Sequence, residues 1–204
     1  IVIPYGLSED FCSVEPLDVV PAPRAVFTSN PLRSLDWLLD RWAQDIQPNV
    51  PEAQLHLFTG AATYGSAGDA KADQMAAVLA QADALKVQGV VVRGPVPKSQ
   101  LIDEFREARC MLYRGDINET FCLAVGEAQA AGVPAVVRNY GSVVERVIDG
   151  ETGYVAKDDW AFAEAAIKLL SDEQLWRRQH RQALEKQRSW RWPDAAAAFE
   201  SLIG

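Results

Sequence analysis

The sequence predicts an α/β domain built on a parallel, doubly wound sheet, and three observations support this fold class. Short apolar segments rich in β-branched and aromatic residues alternate with longer segments of helical periodicity. Several apolar segments contain no polar residue, which is typical of parallel strands covered on both faces. The segments follow one another as repeated strand–helix–strand units, which right-handed crossovers join. This is the Rossmann-like class of fold.

Composition and charge indicate one ordinary globular domain over residues 1–204. The 204-residue chain is 49% hydrophobic and 24% charged. No apolar stretch approaches the roughly 20 residues of a membrane span and no signal-peptide pattern is present, so we expect a cytoplasmic protein. The net charge of −8 opposes nucleic-acid binding, which needs a basic surface. A phosphate ligand would have to be bound locally, by helix amino ends and a few cations.

Cysteine and histidine usage favours no metal site. Cys12, Cys110 and Cys122 are an odd set without short paired spacing, so we expect reduced thiols. His56 and His180 are expected to be structural or solvated. No bound cofactor or obligatory metal is predicted.

The first predicted unit shows how each element is recognised. A β-branched and aromatic strand over 26–28 is followed by Asn30 and Pro31, which are typical of the cap and first turn of a helix. An apolar stripe then runs from Leu35 to Trp42. The remaining strands are predicted over 54–59, 89–92, 110–113 and 134–137.

The remaining helices follow from the same periodicity. They are predicted over 72–86, 99–108, 121–131, 160–170, 175–187 and 195–203. Those within 158–204 are expected to wrap around the domain. A polar loop is predicted from residue 60 to 69.

Ligand contacts are expected just after the strands, because parallel sheets bind ligands beyond the carboxyl ends of their strands. The corresponding segments are 28–33, 60–64, 93–97, 114–119 and 138–142.

Two acids around the start of a predicted helix are the most specific feature. Seven residues separate Glu119 from Glu127. Free amides at Phe121, Cys122 and Leu123 would point along the positive end of the helix dipole and suit a diphosphate, while carboxylates accept hydrogen bonds from sugar hydroxyls. Together they predict a nucleotide-sugar site. The alternatives are a solvated capping acid at Glu119 and a solvent-facing helix residue at Glu127.

Several motifs resemble glycosyltransferase family 4, the retaining enzymes of the GT-B fold, and they occur in the family's order. Residues 119–123 are similar to its Glu-Thr-Phe-Gly-Leu element, and 127–134 to the Glu-Ala-Met-Ala-Ala-Gly-x-Pro continuation. Residues 141–145 and 149–153 resemble its glycine pair and its Asp-Gly-x-x-Gly turn. Residues 3–7 resemble its Ile-Pro-Asn-Gly-Val hinge between lobes, which makes 1–24 a predicted hinge or linker.

The resemblance implies a role for each candidate residue. Glu119 would bind hydroxyls of the donor sugar, and Glu127 the ribose. The amides around Cys122 and Leu123 would bind the diphosphate or sugar, with Phe121 beside them. Arg33 stands where the family has the lysine that steadies the leaving diphosphate. Two further donor-binding candidates are Asn30, ahead of the first helix, and Val96, within a 94–97 segment that would border the base.

Two departures from the family pattern bear on these roles. The Gly-Arg pair that usually precedes the phosphate-binding lysine is absent, and residues 28–31 stand in its place. Arg114, next to the acidic motif, is a candidate replacement. Cys122 replaces a glycine and adds a side chain where the backbone approaches the ligand.

The implied activity is retaining transfer of a sugar from a nucleoside diphosphate, UDP for example, to an acceptor hydroxyl. The acceptor would be a saccharide, a lipid-linked sugar or a small molecule. The resemblance also implies an N-terminal acceptor lobe beyond this sequence, so this chain alone is expected to be inactive in transfer. The alternative is a non-catalytic module that binds a nucleotide or nucleotide sugar.

A basic segment over 176–192 stands out in this acidic chain. It is interpreted as a solvated helix face, or as a surface for peripheral contact with an anionic membrane or a missing domain. Its cations are Arg177, Arg178, Arg181, Lys186, Arg188 and Arg191.

Overall fold

The structure is a computed structural model that describes residues 1–60 and 71–202. Its central element is a six-stranded sheet in which every strand pairing is parallel. The strands are β1 (Arg24–Phe27), β2 (Gln54–Leu57), β3 (Val90–Val92), β4 (Cys110–Tyr113), β5 (Ala135–Arg138) and β6 (Gly153–Ala156). Their order is β3-β2-β1-β4-β5-β6, so the winding direction reverses between β1 and β4. The predicted Rossmann-like, doubly wound sheet is confirmed.

Helices cover both faces of this sheet. They are α1 (Glu9–Cys12), α2 (Leu35–Arg41), α3 (Ala72–Ala84), α4 (Lys98–Arg106), α5 (Leu123–Ala130), α6 (Asp159–Ser171), α7 (Glu173–Lys186) and α8 (Trp192–Glu200). On one face α2 packs against α3, and the helical turn that continues α2 (Trp42–Ile46) packs against α6. On the other face α1 packs against α4 and α5. Every residue of β4 is consequently buried, which explains its uninterrupted apolar sequence.

Two predicted helix starts come too early, and both fail at a residue with left-handed backbone. Asn30 does not cap α2: its side chain accepts a hydrogen bond from the Leu32 amide at 2.8 Å and closes a turn, and α2 begins only after Ser34, whose φ is 59°. The next helix after β4 begins at Leu123 rather than at residue 121, because Cys122 has φ 61°. The phosphate-binding interpretation of residues 121–123 therefore concerns a turn and the first helical residue.

Strand β6 was not predicted. It follows the Asp-Gly turn and pairs with β5 from Ala135↔Gly153 to Arg138↔Ala156. The predicted loop residues 61–69 lie outside the described part of the chain, as does residue 203 at the end of the last predicted helix.

The amino-terminal segment is held by the carboxy-terminal helices. The Leu7 amide donates to the Trp190 carbonyl at 3.1 Å, and the Trp192 amide donates to the Leu7 carbonyl at 3.3 Å. Gly6 lies so close to the Arg191–Trp192 backbone that a Cβ atom would clash with it.

Three cations of the basic segment also hold residues 1–24. Arg177 donates to the Asp18 carbonyl at 2.5 Å, Arg188 donates to the Val14 carbonyl at 2.5 Å, and Arg191 pairs with Glu9 at 2.7 Å. This side of the segment is bound within the chain, while membrane contact through the other cations stays a prediction. No helix in the two described ranges is both long and apolar enough to cross a bilayer.

Candidate functional site

A cavity of about 600 Å³ opens at the carboxyl ends of β1 and β4, where the winding of the sheet reverses. The loops after β1 and β4 and the first residues of α4 and α5 line it. It brings together most of the predicted site residues: Asn30, Arg33, Glu119, Phe121, Cys122, Leu123 and Glu127.

Glu119 is fixed by contacts from three directions, and its side chain is only 9% exposed. The Tyr113 hydroxyl donates to Glu119 Oε2 at 2.6 Å, and Arg33 Nη1 donates to the same oxygen. The Ser142 hydroxyl holds the Glu119 carbonyl at 2.7 Å. Glu119 is therefore an ordered carboxylate at the cavity wall, which excludes the alternative of a solvated capping acid.

Arg33 reaches this site from the turn before α2. Burial lowers the pKa of its guanidinium, but the hydrogen bonds with Glu119 and Tyr113 outweigh burial and raise that pKa overall. Arg33 is thus a permanent cation, partly exposed and placed where an anion in the cavity can reach it.

Glu127 lies on the inward face of α5 and is paired with Lys98 at the start of α4. Its side chain is 8% exposed, so it is not a solvent-facing helix residue. Burial raises the pKa of the Glu127 carboxyl, and the hydrogen bond and charge of Lys98 partly oppose that shift. Lys98 therefore favours the ionised form of a carboxylate that burial disfavours.

Cys122 occupies the left-handed turn at the amino end of α5, which explains why glycine is common there in the family that the motif resembles. Its thiol is buried, and burial raises the pKa of the thiol to about 12. The thiol is consequently protonated and unreactive at neutral pH. Next to it, the Phe121 ring stacks on the Arg146 guanidinium at 4.3 Å and meets Tyr5 edge-on at 5.7 Å.

Two predicted residues lie outside the cavity lining. The Arg114 guanidinium stacks between the rings of Trp37, at 5.2 Å, and Tyr140, at 5.3 Å. Val96 is half-buried and packs against the hydrophobic core. Neither position brings these side chains to the wall where Arg33, Glu119 and Glu127 lie.

The sequence reasoning missed Tyr113 and Lys98, although each carries a signal. A lysine in the first turn of a helix opposes the helix dipole and calls for an anionic partner, which is here Glu127. A tyrosine at the end of a fully buried strand needs a hydrogen-bond partner for its hydroxyl, which is here Glu119. Among residues 1–60 and 71–202, no group of three or more His, Cys, Asp or Glu side chains is placed to hold a metal ion.

Comparison with known families identifies the fold that carries this cavity. The model of the family described as glycosyl transferases group 1 matches residues 22–172, a span that includes the whole sheet and most of the cavity wall. The chain belongs to this family.

Individual relatives agree with this membership. A D-inositol 3-phosphate glycosyltransferase of Streptomyces avermitilis is 32% identical over 174 residues, covering 82% of this chain and 36% of the relative. Another of the same name from Corynebacterium glutamicum is 34% identical over 110 residues, covering 53% of this chain and 26% of the relative. The chain thus spans about a third of the Streptomyces relative and about a quarter of the Corynebacterium relative.

Solved structures show the same fold at low sequence identity. Sucrose-phosphate synthase from Thermosynechococcus elongatus has a TM-score of 0.80 at 20% identity, covering 100% of this chain and 51% of that one. Anabaena HepE in complex with UDP-glucose has a TM-score of 0.72 at 17% identity, covering 89% of this chain and 48% of that one. The chain therefore has the Rossmann-like fold of about half of each of these GT-B structures.

Proposed function

We propose that this chain is the donor-binding domain of a retaining glycosyltransferase, which holds a nucleoside-diphosphate sugar while the sugar passes to an acceptor hydroxyl. The observation that carries the proposal is the convergence of Arg33, Glu119, Glu127 and the amino end of α5 on one cavity. UDP is the proposed nucleoside diphosphate, because HepE was solved with UDP-glucose.

Each part of the donor has a matching group in the cavity. The Glu127 carboxylate accepts hydrogen bonds from the ribose hydroxyls, and for this it exchanges part of its contact with Lys98. The amides at the start of α5 and the Arg33 guanidinium meet the diphosphate. Glu119 accepts hydrogen bonds from the sugar hydroxyls, farther from the nucleoside.

The transfer step needs stabilisation of the leaving group most of all. The bond between the anomeric carbon and the diphosphate oxygen breaks, the acceptor oxygen bonds to that carbon, and the acceptor's hydroxyl proton passes to the departing diphosphate. Negative charge grows on the departing diphosphate, where Arg33 and the α5 amides stabilise it without an obligatory metal. The acceptor, a saccharide, a lipid-linked sugar or a small molecule, would be bound by an N-terminal lobe joined through residues 1–24.

A non-catalytic nucleotide-sugar-binding module is the second candidate. The observation in its favour is the loss of the family's Gly-Arg pair, since Arg33 lies on the cavity wall without that second cation and Arg114 lies outside it. Turnover of a nucleotide sugar by the full-length protein, including an acceptor lobe, separates the two functions.

Binding by the present chain tests the donor site directly. A panel of nucleosides, nucleoside diphosphates and nucleotide sugars is screened for thermal stabilisation and then titrated by calorimetry. Arg33→Ala should weaken binding of the diphosphate much more than binding of the nucleoside, whereas Glu127→Ala should weaken binding of both. Each of these losses is expected to be about 1.5–3 kcal/mol, as for charge-assisted hydrogen bonds. The matched control is Arg41→Ala, on α2 and paired with Asp45 away from the cavity. Equal losses of nucleoside and diphosphate in Arg33→Ala would refute its assignment.

A further inference from the structure

We propose that Tyr113 is the positioning residue that makes the site prefer a nucleotide sugar over the free nucleoside diphosphate. By anchoring one oxygen of Glu119, its hydroxyl keeps the other oxygen turned to the sugar when Arg33 moves to the diphosphate. This inference rests on the proposed donor-binding function.

The first observation is that two donors share one carboxylate oxygen. The hydrogen bonds of Tyr113 and Arg33 both end on Glu119 Oε2. Within the part of the chain that the structure describes, no hydrogen bond reaches Glu119 Oε1. Because Glu119 lines the cavity, Oε1 is the oxygen left to accept from a ligand hydroxyl.

The second observation is that the two donors differ in mobility. Tyr113 is fully buried at the end of β4, which pairs with strands on both sides, and its ring packs against Phe27 at 6.0 Å. Burial and the hydrogen bond with Glu119 raise the pKa of its hydroxyl, so it remains a neutral donor at physiological pH. Arg33, by contrast, sits on a turn with a 36% exposed side chain. Tyr113 is therefore the fixed donor and Arg33 the movable one.

The charge of a bound diphosphate would draw Arg33 away from Glu119. A diphosphate entering the cavity competes with Glu119 for the positive charge of Arg33, since one unit charge cannot neutralise both anions. Without a second donor, Glu119 would lose its anchor when Arg33 turns to the diphosphate, just as the sugar arrives. The Tyr113 hydroxyl removes this conflict, because its bond to Oε2 persists when Arg33 turns away.

The arrangement predicts opposite effects for the two donors. Losing the Tyr113 hydroxyl should weaken binding of the nucleotide sugar and hardly change binding of the nucleoside diphosphate. Losing Arg33 should weaken binding of both ligands by a similar factor and leave the ratio of their affinities nearly unchanged. The ratio of the two affinities is therefore the decisive quantity.

Calorimetric titration of this chain measures that ratio. The wild type is first titrated with UDP-glucose, UDP-N-acetylglucosamine and GDP-mannose, and the tightest ligand is then paired with its own nucleoside diphosphate. In Tyr113→Phe, we expect the nucleotide sugar to bind about tenfold more weakly, the loss of one hydrogen bond to a charged group, and the nucleoside diphosphate to change less than about twofold. In Arg33→Gln the ratio should stay within about threefold of the wild type. Tyr154→Phe, on β6 and away from the cavity, is the matched control.

A double variant checks that Tyr113 acts through Glu119. Glu119→Ala alone, which removes the acceptor of the Tyr113 hydroxyl, should lower sugar affinity, and adding Tyr113→Phe should lower it no further. Both affinities are measured on one preparation, so a partly unfolded fraction cancels from the ratio of nucleotide-sugar to nucleoside-diphosphate affinity. Arg33→Gln supplies a further test that does not require Tyr113→Phe to fold. Equal losses of both ligands in Tyr113→Phe, or loss of the preference in Arg33→Gln, would overturn the inference while the donor-binding function stands. If the wild type binds none of these ligands, the proposed function fails, and this inference with it.

Discussion

At the scale of single residues, the charges of the cavity are paired with one another before a ligand arrives. Lys98 neutralises Glu127, and Arg33 neutralises Glu119. A carboxylate that is 8% exposed would otherwise be strongly desolvated and unpaired. Ligand binding is therefore an exchange of partners, in which ribose and phosphate replace contacts that the protein already makes.

The Lys98–Glu127 pair leads to a pH-dependent prediction. Burial raises the pKa of Glu127 and Lys98 opposes the shift, so Lys98→Met should raise that pKa further. Because an ionised carboxylate is the better acceptor for the ribose hydroxyls, lowering the pH should weaken nucleotide binding by the variant before it weakens binding by the wild type, so the gap between the two affinities should widen as the pH falls. Calorimetric titration with UDP from pH 8.5 to 5.5 measures it.

Two further variants make this measurement specific. Lys98→Arg keeps the cation and should restore the wild-type profile. Lys86→Met removes an exposed lysine that pairs with Asp83 and should leave the profile unchanged. A gap between Lys98→Met and the wild type that is constant with pH would mean that Lys98 binds the ligand directly instead of tuning Glu127.

At the scale of elements, the amino end of α5 depends on one unusual backbone conformation. Cys122 takes φ 61°, which costs most side chains about 1–2 kcal/mol and costs glycine almost nothing. The turn is nonetheless needed, because it directs the α5 amides and the Phe121 ring to the cavity.

A pair of substitutions isolates this cost. Cys122→Ala and Cys122→Gly both remove the buried thiol, but only glycine relieves the left-handed strain. We expect Cys122→Gly to be more stable than Cys122→Ala by about 1 kcal/mol, measured by urea unfolding. The same pair at Cys110, which lies in β4, should show the opposite order, since glycine weakens a strand. If alanine is the more stable at position 122 as well, the turn is not strained.

Strands and helices were predicted correctly where the local sequence pattern determines them. The strand over 110–113 was predicted with its correct bounds, because burial on both faces leaves an apolar signature. The start of α2 was not, because Ser34 adopts a conformation that its type rarely takes. Strand β6 escaped prediction because it begins at Gly153, a residue type unusual in a strand, which is needed here since β5 approaches too closely for a side chain.

The site was predictable only in part, for a related reason. Spacing placed Glu119 and Glu127 on one ligand, and the family resemblance added Arg33. The contact between Arg33 and Glu119 joins residues 86 positions apart, which no local pattern reveals. Tyr113 and Lys98 were missed because the role of each depends on its contact with a side chain from another part of the fold.

At the scale of the whole molecule, buried histidines join distant segments. His180 on α7 stacks on Trp176, its Nδ1 meets the Gly132 carbonyl at 2.7 Å, and its Nε2 accepts from the Leu17 amide at 3.0 Å. This requires the neutral ring with the proton on Nδ1. One imidazole thus connects the amino-terminal segment, α7 and the end of α5.

This connection predicts acid sensitivity. Burial lowers the pKa of His180 below 6.5 and lowers that of His56 to about 4. Since the unfolded state then binds more protons, the free energy of unfolding should be independent of these histidines above about pH 6.5. It should decrease as the pH drops from 6.5 to 4, by up to about 1.4 kcal/mol per pH unit for each histidine. Urea unfolding at pH 7.5, 6 and 5 measures it. His180→Gln can keep both hydrogen bonds without titrating, so the free energy of unfolding should depend less steeply on pH in this variant. An unchanged pH dependence would exclude His180 as a contributor.

The pairing of Leu7 with residues 190–192 also bears on the topology of the chain. The two segments that flank the sheet in sequence meet at one corner of the domain, so their contact closes a loop of chain that contains the whole sheet. A covalent link across that corner would restrict the unfolded ensemble much more than the native one and should raise the temperature of unfolding.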